Sequence, residues 1–151
     1  MKFLDDATFA TVIENTPLVA IDLLIQKGKT YKYLMGRRLN EPAKGDWFVP
    51  GGRIRKNELF SDALARISKA ELGHELNVEN FALYGVYQHI YDDRHYVVIT
   101  VVTTVEDDWD PNIIETDDQH SEFEWWLVGR ILKSTVVHKN AKDYWQGSPV
   151  V

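Results

Sequence analysis

The chain has 151 residues, 44 % of them hydrophobic and 26 % charged, enough for one ordinary domain core and too apolar for a disordered chain. Its net charge of −6 argues against a general nucleic-acid binder, which carries a basic stripe. The absence of cysteine removes disulfides, thiolate catalysis and cysteine-held zinc, and fits a reducing cytoplasm.

From the N-terminus, Met1–Asp6 has no continuous apolar core and does not read as a secretory signal. Residues 5–15 suit a short helix capped by Asp5 or Asp6, with Phe9, Val12 and Ile13 on one side and Pro17 as its stop. Leu18 to Gln26 reads as a buried strand; interrupted by Asp22, it is too short to span a bilayer. Lys27-Gly28-Lys29 turns into a second strand, Tyr31 to Arg38. A loop over 40–45 leads to a short strand, Trp47 to Val49, and then to the double glycine Gly51-Gly52. Asn57 is the expected N-cap of a helix reaching about Leu72, with Gly73 as its stop. Strands are expected over Phe81–Tyr91 and His95–Val105, joined by the turn Asp92-Asp93-Arg94. The run Tyr96 to Val102 is too β-branched for a good helix. An acidic loop, a strand near Glu122–Leu127, and helices around Val128–Lys133 and Lys139–Gln146 complete the chain. Strands around one strong central helix predict an α/β (α+β) sandwich in a single domain over residues 1–151.

The chemistry concentrates around that helix. Trp47-Phe48-Val49-Pro50-Gly51-Gly52-Arg53 places an apolar strand and a double-glycine turn directly before Glu58, Arg66, Glu71 and Gly73. Glycines let backbone approach a ligand, arginine neutralises phosphate, and a helix carboxylate can hold magnesium through oxygen. Within the helix, Leu59, Ala63, Ile67 and Ala70 form an apolar stripe, while Glu58, Asp62 and Arg66 stand at i, i+4 spacing. By periodicity alone the charged positions are a surface ladder; the glycine turn before them favours a site.

At these residues the chain resembles the Nudix hydrolases, whose box reads G-x5-E-x7-R-E-U-x-E-E-x-G-U, with U a bulky apolar residue. Gly52, Glu58, Arg66, Glu71 and Gly73 match it; Ile67 and Ala70 replace two glutamates and His74 the last apolar residue. Those departures resemble the altered box of the GDP-mannose mannosyl hydrolases. The resemblance implies an α/β/α sandwich with a mixed sheet and one central catalytic helix. It further implies one Mg2+ per active site, held by Glu71, the Gly51 carbonyl and Gln119. His120, beside Gln119, would be the general base; a histidine in an acidic loop is otherwise commonly a solvated surface residue. Arg38 and Arg53 would clamp the diphosphate, Arg53 with Tyr96 serving catalysis. Asp22 and His89 would contact the sugar or diphosphate, with Tyr91 beside them. Outside the resemblance, Asp22 would be an outward-facing strand residue and these aromatics sheet stabilisers. Phe3, Leu4 and Phe9 would help form the nucleotide site across a homodimer. Trp125, Trp126 and Trp145 read as packing residues.

The N-terminus, hydropathy and absence of cysteine read as a soluble, cytoplasmic protein, and the resemblance implies an enzyme that hydrolyses GDP-mannose, or GDP-glucose, to GDP and free sugar. Water attacks the anomeric carbon with inversion. Alternatives are a conventional pyrophosphohydrolase acting at phosphorus and a non-catalytic nucleotide-sugar sensor. Only Arg94 separates the Asp92-Asp93 turn from His95-Tyr96, a shorter segment than the resemblance implies, which leaves sugar selectivity open.

Overall fold

A computed structural model describes residues 3–41, 43–111 and 120–151, the side chains of 120 and 121 excepted. Helix α1 (Asp6–Asn15) is followed by strands β1 (Leu18–Lys27), β2 (Lys32–Arg38), β3 (Trp47–Phe48) and β4 (Gly51–Arg53). Helix α2 (Phe60–Leu72), strands β5 (Ala82–Ile90), β6 (His95–Val105) and β7 (His120–Leu127), and helices α3 (Val128–Lys133) and α4 (Lys139–Gln146) follow. The sheet is mixed. Its path runs β3-β2-β1-β6-β5, with β1 parallel to β6 along its whole length, while β7 pairs with β2 and β4 with β1.

Alternation along β1 sorts the layers. Ile21, Leu23 and Ile25 face α2, packing with Leu34, Ala63, Leu64, Ile67 and Leu72. On the opposite face Leu24 joins Phe48, Val49, Tyr87, Trp126, Ile131, Ala141 and Tyr144, which places α3 and α4 there. The result is a three-layer α/β/α sandwich, as expected. Asp22 shares the second face with Leu24. It is 8 % exposed, so it does not point to solvent.

Three local expectations change. Gly51-Gly52 is a strand rather than a turn: Ala20, Ile21 and Asp22 pair with Arg53, Gly52 and Gly51. Asn57 is not the cap of α2; it sits at φ +65°, and the helix starts after Leu59 without a side-chain cap. Leu59 and Ala70 are exposed, so the buried stripe of α2 is Ala63, Leu64, Ile67 and Leu72, with Ser68 and Glu71 alongside. Gly73 stops the helix as expected, in the left-handed region at φ +72°.

Two backbone docks fix the far end of the chain. Residues 136–138 bond to β3, with Trp47 N–H to the Val136 carbonyl at 2.8 Å and His138 N–H to the Trp47 carbonyl at 3.1 Å. Beyond α4, the Val86 N–H donates to the Val151 carbonyl and the Val150 N–H to the Val86 carbonyl, both at 2.7 Å, along strand β5.

Candidate functional site

The box assembles around one half-buried ion pair. Arg66 Nε donates to Glu58 Oε1 at 2.6 Å and Arg66 Nη2 to Glu58 Oε2 at 2.9 Å, the bidentate geometry that guanidinium and carboxylate share. Arg66 Nη2 also donates to the Arg53 carbonyl at 2.8 Å, and the Arg55 N–H donates to Glu58 at 2.9 Å. Glu58 therefore braces Arg66, which ties α2 to β4, instead of forming a ladder with Asp62. The Arg66 hydrogen bonds, outweighing burial, hold its carboxyl down at about 2.

Beside this brace, β4 runs close to its neighbours. A Cβ at Gly51 would stand 2.2 Å from Asp22 Oδ1, and one at Gly52 would stand 3.1 Å from Ile67 Cγ1. The glycines thus let the strand lie between the Asp22 carboxylate and the central helix. Ile67, which replaces the first missing glutamate, is 1 % exposed and belongs to the core. Glu71, one helical turn further, is a buried carboxylate at 5 % exposure.

On the α4 side of β4 lies a cavity of about 130 Å³. It brings together Asp22, Arg38, Gly51, Arg53, His89 and Tyr96 of the expected site, with Tyr91 among them. Ala20, Phe48, Val49 and Val98 give it an apolar floor. His89 is opposite Tyr96 across the β5–β6 ladder, and the rings of Tyr91 and Tyr96 meet edge to face. Burial, then the nearby His138, depresses His89 to about 4, so its imidazole is neutral at pH 7. His89 Nε2 is buried without a hydrogen-bond partner among the described residues. Burial pulls the Arg53 guanidinium below its usual value, with the Tyr96 hydroxyl opposing that shift.

Other expected residues lie outside this cavity. Glu71 does not line it. Phe9 lies under Arg53, the guanidinium carbon 4.0 Å from the ring centre, and Phe3 lies under Arg55 at 4.5 Å. Within this chain those rings hold arginines. Leu4 is exposed. Gln119 and the His120 side chain fall outside the described residues; the backbone at 120 pairs opposite Arg38, which lines the cavity. Trp126 is buried, and Trp125 and Trp145 pack against the two cores, in line with their reading as packing residues.

Two residues near the cavity had no sequence signal. His138 caps α4, its Nδ1 accepting from the Asn140 N–H at 3.2 Å, and its ring packs on Phe48 and Tyr91. Tyr144, in the same helix, donates its hydroxyl to Asp22 Oδ2. The docking of residues 136–138 on β3 and the core packing of Ala141 and Tyr144 bring this helix to the cavity. Among the described residues, no group of three His, Cys, Asp or Glu side chains could hold a metal ion. Nor is any helix among them long and apolar enough to cross a membrane.

Residues 16–145 match the NUDIX domain family. The chain is 38 % identical over 125 residues to the low-salt glycan biosynthesis protein Agl8 of Haloferax volcanii, covering 78 % of this chain and 75 % of that one. It is 32 % identical over 129 residues to an ADP-ribose pyrophosphatase of Methanocaldococcus jannaschii, covering 85 % and 73 %. A MutT NUDIX hydrolase from Burkholderia pseudomallei superimposes with a TM-score of 0.74 at 21 % identity, over 88 % of this chain and 98 % of that one. The protein belongs to the Nudix hydrolase family.

Proposed function

We propose that this Nudix hydrolase cleaves a GDP-sugar, GDP-mannose first and GDP-glucose beside it, to GDP and the free sugar. Water attacks the anomeric carbon with inversion. The observation that carries this reading is Ile67. Where the family's box has a glutamate, this chain has a hydrocarbon packed into the core against Gly52, and Ala70 adds no second carboxylate. Glu71 alone remains for the work that several carboxylates do when water is activated beside phosphorus. The name of the Haloferax relative, a glycan biosynthesis protein, is in keeping with a sugar nucleotide.

The residues divide the work accordingly. Arg38 and Arg53 bind the diphosphate by guanidinium forks. Asp22 and His89 orient the sugar, and Tyr96 stands beside Arg53. The water oxygen bonds to the anomeric carbon and gives its proton to the His120 imidazole. The bond from that carbon to the β-phosphate oxygen breaks, its electron pair leaving with GDP. A glycosidase normally needs an acid to protonate a poor leaving group. A diphosphate neutralised by arginines leaves without one.

The donors also suit a single Mg2+. Glu71, the Gly51 carbonyl and Gln119 are all hard oxygen donors. The first two come from α2 and β4, which the Ile67–Gly52 contact holds together. Waters and the substrate's diphosphate complete such a set. When bound, the ion would neutralise charge developing on the departing diphosphate. A homodimer, with Phe3, Leu4 and Phe9 completing the nucleotide site, belongs to the same reading.

The second reading, cleavage at phosphorus, is favoured by the pyrophosphatase name of the Methanocaldococcus relative. Hydrolysis of GDP-mannose in ¹⁸O-labelled water separates the two. Unlabelled GDP with initially inverted mannose is expected. Label in GDP, or in GMP released with sugar phosphate, would place cleavage at phosphorus and overturn the proposal.

A further inference from the structure

Asp22 is a carboxylate on a β1 position otherwise surrounded by apolar strand, and two elements distant in sequence hold it. From one side comes the backbone of β4, where any side chain on Gly51 would collide with Asp22 Oδ1. From the other comes α4, whose Tyr144 donates to Asp22 Oδ2 across 122 residues of sequence. Tyr144 is itself 2 % exposed, and its ring packs against the His89 ring with centres 5.7 Å apart. One phenol therefore touches two cavity-lining residues. A carboxylate removed from water needs a donor to remain charged and in place.

We propose that Tyr144 is a positioning residue, fixing the Asp22 carboxylate and the His89 ring for recognition of the sugar moiety. This deepens the GDP-sugar reading and rests on it. Burial and the adjacent carboxylate both raise the Tyr144 hydroxyl well above its ordinary value, so it stays a donor throughout the working pH range. Thr100, the register partner of Asp22 on β6, opposes that rise and shares the same buried corner. The bond restrains the Asp22 carboxylate, and a displaced orienting group can cost on the order of 10²-fold in rate.

The test is a double-mutant cycle with Tyr144→Phe and Asp22→Asn. It uses whichever of GDP-mannose, GDP-glucose and ADP-ribose the wild-type enzyme turns over best. Tyr144→Phe should lower kcat/KM roughly 10- to 100-fold, leave inhibition by GDP within about twofold, and have no further effect once Asp22 is Asn. Independent, multiplying effects of the two substitutions would overturn the proposal. So would an equal loss of GDP binding, or a Tyr144→Phe chain that does not fold, either of which marks the bond as structural. A crystal structure of Tyr144→Phe gives a readout that needs no substrate: Asp22 displaced supports the role, and Asp22 unmoved refutes it. Cleavage of ADP-ribose at phosphorus would instead sink the GDP-sugar reading while the coupling between the two residues stayed measurable.

Discussion

At the scale of single residues, burial decides which charges the site carries. Glu71 is the one box carboxylate after Arg66, and it is buried. Glu71→Gln removes its charge at nearly constant volume, so turnover should fall on the order of 10³-fold while the melting temperature holds. Activity measured across a magnesium titration checks this; wild-type rates at ordinary magnesium would refute a single-carboxylate metal site. His89 makes a prediction about stability. Its folded-state value of about 4 lies below the 6.5 of an unfolded chain. Between those values the unfolded state binds the extra proton, so stability is complete above about pH 6.5 and falls as pH drops toward 4. One such group contributes a slope of at most about 1.4 kcal/mol per pH unit. Urea unfolding at a series of pH values should show this slope reduced in His89→Gln. His138, shifted in the same direction, supplies part of what remains.

At the scale of elements, the strand Gly51–Arg53 forms against its local propensity. Two adjacent glycines are poor strand formers, and sequence alone makes them a turn. Pairing with Ala20, Ile21 and Asp22 overrides that propensity, and it is a contact with residues some thirty positions away. The start of α2 departs from local propensity for a related reason. Asn57 suits a cap, but the Glu58–Arg66–Arg53 brace fixes the entry loop and puts Asn57 at positive φ. The packing of β4 makes its own prediction. An alanine methyl at Gly51 meets Asp22 Oδ1 at 2.2 Å and the Ile21 carbonyl at 2.8 Å, and the second is backbone that cannot step aside. At Gly52 the neighbour is Ile67 Cγ1 at 3.1 Å, which can yield by a few tenths of an ångström. Gly51→Ala should therefore destabilise by about 1–3 kcal/mol and Gly52→Ala by less. Equal unfolding midpoints in denaturant would contradict this packing argument.

At the scale of the whole molecule, the box and most element boundaries were legible because they are local: spacing, β-branching and helix stops act within a few residues. Arg38, Arg53, Asp22, His89 and Tyr96 line one cavity, although they come from five different strands. Tyr144 and His138 were not legible, because a short C-terminal helix announces nothing about the strand on which it docks. The parallel pairing of β1 with β6 was equally silent, being a register between distant segments. Strand β5 ends the path of the sheet, and an uncovered last strand is a template for another chain. Residues 150–151 occupy the N–H and carbonyl of Val86, and Gly85 leaves room for Pro149 to lie alongside. The segment thus works as a selvage, finishing the weave so that it does not catch on its neighbours. Should it peel away, hydrogen exchange at Val86 would accelerate, and that border of the sheet would become adhesive while the cavity beside β4 stayed intact.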